Sequence, residues 1–503
     1  MGIGDRIKEA VRNFLEIDTS NGVSVTIRQL MDFEAETFKN RIWYRGRSNE
    51  LEQLYRSLND EMGNTHFWGS RPTTGTKLRK IHTGLPGLIV DVLTDVCIDD
   101  LNSIDAGTRQ EDWDAIAEDN KFIKILSKAV KDTLYLGDGA FKFSYDSAIS
   151  SFPIIEFFPA DRVDFVYDRG RLVEITFKTK KHIKHKTYTL KEHYTKEGIT
   201  YTLENFEGKE VDISDFEEFQ TLQPITNNAA FMAAVPLMFK ESATYEGRGK
   251  SIFDGKHEAF DSFDEVYSQW MLAIRKGQIK TYIPDVFLPR DPKTGEIRAY
   301  NDFDNDFIQI ESDMSEGSTK QISTTQGEIQ HEALLASYCT ALDLCLQGLI
   351  SPSTLGIDVK KLDNAEAQRE KEKATLYTRN KVLSELVETI PEVVKTALAF
   401  YDNLSNKAFT DIDVILNFGG YANPSFEAQI ETIGKASQYG IMSIETQVEE
   451  LYGDDKNEAW KAEEVERIKA EKGITEMDEP ALNLDAVHAE ELDGSKVSTL
   501  TNE

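Results

Sequence analysis

Two stretches of this chain carry apolar side chains at intervals of three and four residues, the spacing that places them on one face of an α-helix. The first contains Phe253, Phe260, Phe263, Tyr267, Trp270 and Ile274. The second contains Leu335, Tyr338, Leu342, Cys345 and Leu349. The pattern predicts two amphipathic helices, whose packing we assign to Phe260, Phe263, Tyr267, Trp270, Leu335, Tyr338 and Leu342.

The flanking residues predict where these helices begin and end. Ser251 with Asp254, and Thr325 with Glu328, resemble capping boxes, in which a hydroxyl and a carboxyl satisfy free backbone N–H groups. We therefore predict helices over 251–277 and 325–350, each roughly 40 Å long at about 1.5 Å per residue. An ordinary helical hairpin with an inserted subdomain accounts for this periodicity equally well.

The remaining pattern mixes helices and strands. Helices are predicted over 5–16, 28–40, 49–59, 86–97 and 120–136, and strands over 141–145, 154–158, 163–167, 172–178 and 236–240. The insert 278–324 contains short strand patterns over 282–288, 297–300 and 307–310. A loop over 351–363, a helix over 364–404, a strand over 412–418 and helices over 425–472 follow. The predicted fold class is therefore α+β, and Pro391 should kink the 364–404 helix because proline removes a backbone hydrogen bond.

One predicted strand is unusually basic. Lys178, Lys180, His182, Lys184 and Lys186 alternate along it, so we expect them on one face. Such a face could bind DNA or an acidic partner, or it could be the solvated outer side of a sheet. The pattern alone leaves these readings open.

Composition narrows the class of protein. The 503 residues carry a net charge of −31, which argues against a tight DNA binder because gripping phosphates needs a basic surface. The segment 473–503 is acidic and predicted to be disordered. No apolar run approaches the roughly 20 residues that span a bilayer, the N-terminus lacks the apolar core of a signal peptide, and the three cysteines suit reducing surroundings. We expect a protein of a cytosol-like compartment, or one delivered inside a particle, with no membrane partner.

Several sequence motifs of enzymes are present only in part. Gly249-Lys250-Ser251 mimics the end of a phosphate-binding loop, but Thr244 stands where that loop needs a glycine. The alternating aspartates of 302–306 lack the glycine of a calcium loop, and the HExxH-like run at His331 lacks its second histidine. We therefore expect no enzyme activity, no metal and no cofactor.

Five short stretches, taken in order, resemble the portal proteins of tailed bacteriophages, particularly those from phages of Gram-positive hosts. They are Lys39–Leu54 with Tyr44-Arg45-Gly46, Leu136–Ala140, Gly249–Ser251 followed by Asp261, Leu349–Gly356, and Gly440 with Ser443, Glu445 and Asp454. The resemblance covers the chain from about Phe38 to Lys472, and it rests on order and spacing rather than on any one motif.

The resemblance implies a domain plan. Residues 1–250 would form the wing, to which 405–424 returns, while 251–277 and 325–350 would be the two stem helices. The insert 278–324 would be the clip, 351–363 the tunnel loop, 364–404 the kinked helix and 425–472 the crown.

The resemblance also implies a function, that of a twelvefold ring at one capsid vertex of the virion, assembled in the host cytoplasm. Double-stranded DNA would pass through its channel during packaging and ejection, with the terminase large subunit, capsid and scaffolding proteins and head-completion adaptors as partners. Tunnel-loop candidates are Ser351, Thr354, Lys360 and Lys361, and docking candidates on the clip are Arg290, Asp291, Lys293 and Arg298. The alternatives are another ring or scaffold component without DNA passage, and an enzyme with an unrecognised site.

Overall fold

The computed structural model describes residues 32–57, 65–71, 78–183, 186–219, 222, 224–226, 231–284, 290–295, 307–310, 323–357, 365–405, 407, 409, 411–418, 433–452 and 458–471. The predicted helix 5–16, the predicted strand 297–300, the tail 473–503 and the candidates Arg298, Lys360 and Lys361 lie outside these residues. The chain separates into two units, Met1–Gly419 and Gly420–Glu503.

The described residues form helices and mainly antiparallel sheets, which confirms the predicted α+β class. The helices are α1 (Phe33–Arg45), α2 (Ser48–Ser57), α3 (Leu85–Ile98), α4 (Gln110–Asn120), α5 (Phe122–Leu136), α6 (His257–Lys276), α7 (His331–Leu346), α8 (Ala365–Leu404), α9 (Ile444–Tyr452) and α10 (Glu458–Glu471). The strands are β1 (Leu101–Asp105), β2 (Asp138–Ser144), β3 (Ile154–Pro159), β4 (Val163–Asp168), β5 (Arg171–Ile183), β6 (Lys186–Thr195), β7 (Gly198–Glu204), β8 (Glu210–Val211), β9 (Ile225–Thr226), β10 (Ala234–Met238), β11 (Lys280–Pro284), β12 (Phe307–Ile310), β13 (Ser323–Thr325) and β14 (Ile415–Phe418).

The described strands of the first unit form four separate sheets. One has the order β10-β2-β3, one pairs β1 with β14, and one in the insert has the order β12-β11-β13. The largest runs β4-β5-β6-β7-β8, with β9 also on β7. The β4–β5 turn places Arg169 and Gly170 at positive φ, the backbone geometry that joins twisted antiparallel strands tightly.

The main hydrophobic core lies where α3, α5 and the C-terminal half of α8 meet the β10-β2-β3 sheet. Helix α3 is apolar on most sides, as expected of a helix covered all around, and Ile89, Val90 and Leu93 are fully buried. Helix α8 continues through Pro391 and buries Ile390 and Val394. The body from which α6 projects is therefore solidly packed.

Two predicted helix starts are wrong. Helix α6 begins at His257 and not at Ser251, because Gly255 has a φ of 78° that a right-handed helix cannot include. Helix α7 begins at His331 and not at Thr325, because Thr325 is paired with Lys280 in the insert sheet. With 20 and 16 residues the helices measure roughly 30 Å and 24 Å, shorter than predicted.

The basic strand and the returning strand also differ from prediction. The chain turns between Ile183 and Lys186, so Lys186 lies on β6 opposite Ile183 and not on the strand of Lys178. The returning strand begins at Ile415 and pairs antiparallel with β1. Helix α5 begins at Phe122, after a break at Lys121, whose φ is 53°.

Candidate functional site

Helices α6 and α7 lie side by side, with an aromatic cluster between them. The Tyr338 ring of α7 packs among three rings of α6, with centroid distances of 5.0 Å to Phe263, 6.4 Å to Tyr267 and 5.6 Å to Trp270. These distances lie in the range in which aromatic pairs attract beyond their buried area. Leu342 is fully buried one turn further along α7.

Phe260 belongs to the same stripe of α6 but has different neighbours. Its ring lies 5.8 Å from Trp43 of α1 and 5.5 Å from Phe253 of the segment before α6. Phe260 therefore packs α6 against the body, while the later aromatics of the stripe pack it against α7.

Helix α7 has a second apolar face that nothing in the described residues covers. Leu344 is 52% exposed, and Ala333, Ala336 and Thr340, at intervals of three and four residues, are exposed on the same face. Leu335 was assigned to the packing stripe with Tyr338 and Leu342; it lies on that side of the helix but is 46% exposed. After the first turn, Asp343 is the one charged residue of this helix. Leu344 and the two alanines form an exposed apolar strip on this face, and such a strip favours a further packing surface.

A polar stripe that sequence reasoning missed runs along α6 beside the aromatic one. His257, Asp261, Asp264 and Ser268 are spaced four, three and four apart, and all four are buried. Buried polar groups are stable only with hydrogen-bond partners, so their contacts show what α6 holds.

Asp264 is the centre of this stripe and is 1% exposed. Its Oδ1 accepts hydrogen bonds from the Thr83 backbone N–H and hydroxyl, both at 2.9 Å. Its Oδ2 accepts one from Trp68 Nε1 at 3.1 Å and lies 2.7 Å from His82 Nδ1. One carboxylate thus joins α6 to two separate connecting segments of the body.

The other three residues of the stripe also join α6 to the body by hydrogen bonds, and we call the four residues together the anchor of α6. Asp261 accepts hydrogen bonds from the backbone N–H groups of Phe67 at 2.7 Å and Trp68 at 3.2 Å; burial raises its pKa, and these two bonds oppose that rise. Ser268 Oγ accepts one from Ile81 N at 3.0 Å. Burial lowers the pKa of His257 well below its usual range, so the ring is neutral where its Nε2 lies 2.7 Å from Asn40 Oδ1.

The segment leading into α6 is fixed to the body by a second cluster. Arg248 donates to both carboxylate oxygens of Asp138 at 2.9 and 3.0 Å and to the Ala160 carbonyl at 2.7 Å. Gly249 crosses Gly137 so closely that a side-chain carbon at Gly249 would lie 2.1 Å from the Gly137 carbonyl oxygen. The phosphate-loop-like sequence is therefore a place where two backbone segments cross in close contact, and only glycine leaves enough space there.

The predicted tunnel loop is described only to residue 357. Ser351 is 1% exposed, its N–H donates to Thr375 Oγ1 of α8 at 2.9 Å, and its hydroxyl contacts Ser353. Thr354 Oγ1 lies 3.0 Å from the same Thr375 hydroxyl. Ser351, a tunnel-loop candidate, is therefore buried beside α8 within the subunit.

Replacing Thr375 by valine should lower the free energy of unfolding by about 1–2 kcal/mol, because it leaves the buried Ser351 N–H without an acceptor. Thr378→Val is a matched control, since the Thr378 hydroxyl donates only to the Ala374 carbonyl of its own helix. Urea unfolding of both variants measures the difference. Equal values would contradict the assigned role of Thr375.

The insert joins the helix pair at one point. Strand β11 pairs with β13 antiparallel, so Lys280 and Thr325 lie opposite each other, and β11 pairs with β12 in parallel. At the exposed turn, Lys293 N donates to Asp291 Oδ1 at 2.8 Å and Arg290 Nη1 to the Gly295 carbonyl at 3.3 Å. Three of the four docking candidates therefore share one small turn.

The described residues contain no group of three or more His, Cys, Asp or Glu side chains arranged to hold a metal ion. Across the same residues, no helix combines the length and apolarity that crossing a membrane requires.

The sequence matches no described protein family and no curated protein. The fold is similar to chains in three solved gene transfer agent assemblies. For the virion of the native particle, identity is 12%, coverage is 74% of this chain and 91% of that chain, and the TM-score is 0.34. For the neck of the native particle, computed with C12 symmetry, identity is 10%, coverage is 77% of this chain and 91% of that chain, and the TM-score is 0.37. For the neck of the empty particle, computed with C6 symmetry, identity is 11%, coverage is 74% of this chain and 93% of that chain, and the TM-score is 0.36. At such low TM-scores these similarities do not establish a function.

Proposed function

We propose that this chain is the subunit of a portal ring at one vertex of a phage-like capsid, of the kind found in phages of Gram-positive hosts. The observation that carries the proposal is the exposed apolar strip of α7, on a helix pair that is fixed to the body through α6. A ring requires each subunit to present two different surfaces that close head to tail. The outer face of α7, packed against the α6–α7 pair of the next subunit, would supply such a contact.

The anchor at the base of α6 suits this role. A helix lining a ring must keep its angle to the body, since a small error repeated around the ring prevents closure. Asp264 and Asp261 fix that angle through hydrogen bonds to two connecting segments. The same pair of helices carries the insert, on which we place docking of the terminase large subunit and later of head-completion proteins.

The chain would act as a conduit for double-stranded DNA and not as an enzyme. Its net charge of −31 favours sliding, because a channel that gripped phosphates tightly would hold the DNA in place. Lys360 and Lys361 are two neighbouring positive charges in the sequence of the proposed tunnel loop, and we assign them transient phosphate contacts.

Negative-stain microscopy and mass photometry of the purified chain test the ring directly. The expected result is a closed ring of roughly twelve copies with an axial hole. A stable monomer at all protein concentrations would overturn the proposal.

Changing Lys360 and Lys361 together to glutamate should reduce the number of DNA-filled heads several-fold, or shorten the packaged DNA, because the loop would then repel phosphates. Packaged length is measured by gel electrophoresis of DNA extracted from the particles. The control is the double variant Lys124→Glu and Lys128→Glu, which makes the same change in net charge on the exposed side of α5 and should package normally. Unchanged packaging in the Lys360/Lys361 variant would remove these lysines from the DNA path.

A further inference from the structure

The hairpin of β5 and β6 is the most basic part of this acidic chain. Residues 178–191 contain six lysines and two histidines and no aspartate or glutamate, within a protein of net charge −31. The portal proposal gives this hairpin no role.

Only part of this positive charge is neutralised within the subunit. Burial alone would lower the pKa of Lys178, but Asp164 at 2.8 Å and Glu34 at 3.1 Å raise it above its ordinary value. Lys191 pairs with Glu204 at 2.5 Å. By contrast, Lys180, Lys181 and Lys186 are exposed, and none of them forms an ion pair with a carboxylate in the described part of the chain. We call these three the hairpin lysines.

A complementary acidic surface belongs to the same sheet. Between β7 and the short turns that follow β8, residues 207–218 contain six carboxylates and one lysine. The carboxylates are Glu207, Glu210, Asp212, Asp215, Glu217 and Glu218, and all six are exposed. We call this the acidic segment.

A small core separate from the main one holds the acidic segment in place. Phe219 packs with Ile183, Leu190 and Leu203, and the Phe216 ring lies 4.9 Å from that of Tyr188. The segment therefore lies over one face of the β5–β6 hairpin as a defined layer.

The strand register sets where the charges lie. Leu190 is opposite Thr179, so the covered face contains Leu190 and Ile183, while Lys180 and its partner Thr189 lie on the other face. Lys181 and Lys186 share the covered face but lie exposed near the turn between the two strands, the tip of the hairpin. Cations therefore occupy the open face and tip of the hairpin, and carboxylates form the outside of the layer behind it.

We propose that the hairpin lysines of one subunit contact the acidic segment of a neighbouring copy of this chain. This inference rests on the proposed ring, in which every contact is head to tail and needs two different, complementary surfaces. Nucleic acid is a poorer fit, because the six exposed carboxylates of the acidic segment, which packs on the same hairpin, would repel a phosphate backbone. Exposed charges of this kind set the association rate, the register and the salt dependence of an interface.

Two charge-reversal variants test the contact. One is Lys180→Glu, Lys181→Glu and Lys186→Glu; the other is Asp215→Lys, Glu217→Lys and Glu218→Lys. Each alone makes every such contact repulsive, so the protein concentration at half assembly should rise about tenfold or more at low salt. In an equal mixture, alternating subunits restore attraction at both contacts of each subunit, so assembly should return to within about twofold of the unchanged protein.

The mixture distinguishes a contact between subunits from a contact within one subunit. In each variant both surfaces carry the same sign of charge, so attraction can return only between two different subunits. Rescue also shows that both variants are folded, and a chain carrying all six changes should assemble by itself. Ring formation by each variant at unchanged concentration would overturn this contact while leaving the ring proposal intact. The contact would also be overturned if the lysine variant assembled normally but no longer bound a short DNA duplex, because that result would assign the lysines to nucleic acid. Failure of the unchanged chain to form rings would reject both proposals.

Discussion

Replacing Asp264 by alanine should lower the free energy of unfolding by about 3–5 kcal/mol. The change removes the acceptor of Trp68 Nε1 and of both Thr83 donors, and it leaves His82 without the carboxylate beside its Nδ1. These groups are buried or half-buried, so few of them can turn to water instead. Urea unfolding followed by tryptophan fluorescence measures the loss, because Trp68 contacts the altered side chain directly.

Two further variants define the origin of this effect. Glu265→Ala changes the next residue of the same helix, which is exposed, and should alter stability by less than about 0.5 kcal/mol. Asp264→Asn keeps the shape of the side chain but replaces one acceptor oxygen with a donor. Its loss of unfolding free energy should therefore fall between those of Asp264→Ala and Glu265→Ala. A loss below about 1 kcal/mol for Asp264→Ala would show that the connecting segments are held by other contacts.

Placing a carboxylate on the outer face of α7 should leave the chain folded but abolish the proposed ring. Leu344→Glu introduces a charge where we expect a neighbouring subunit to pack, at a cost of about 2–4 kcal/mol at every contact of the ring. Mass photometry should show monomers, while circular dichroism and the unfolding midpoint stay close to those of the unchanged chain.

Leu88→Glu is the matched control for this experiment. Leu88 is 42% exposed on α3, close to the value for Leu344, and it lies on an element outside the helix pair. The control should assemble normally. Rings formed equally well by Leu344→Glu and Leu88→Glu would exclude the outer face of α7 from the subunit contact and remove the main support for the proposed function.

The sequence predicted the aromatic packing of the helix pair but not its anchor. Phe263, Tyr267 and Trp270 stand out because apolar residues at helical spacing have one common explanation, burial. Asp261 and Asp264 have the same spacing, yet acidic residues on a helix are usually solvated, so the pattern gave no reason to bury them. Their partners lie almost two hundred residues earlier in the chain, and only the folded structure brings them together.

The wrong helix starts have a similar cause. Ser251 and Asp254 do interact, since Ser251 N donates to Asp254 Oδ2 at 3.2 Å, but the Ser251 hydroxyl donates to the Tyr135 carbonyl of α5. A cap-like local sequence was thus used for a long-range contact, and Gly255 delayed the helix. Thr325 was taken for a cap because strand pairing with Lys280 cannot be read from local spacing.

The way in which the insert joins its two helices has a consequence for how this protein can change over time. A side-chain carbon placed on Gly327 would lie 3.8 Å from the Gly277 Cα atom, so the chain leaves α6 and returns toward α7 through nearly the same point. Whatever lies between these glycines can be lengthened, shortened or exchanged as a cassette without altering the spacing of the helices. For the proposed ring, this means that recognition of outside partners by the insert can diverge rapidly between relatives, while the surfaces proposed to join subunits stay constant.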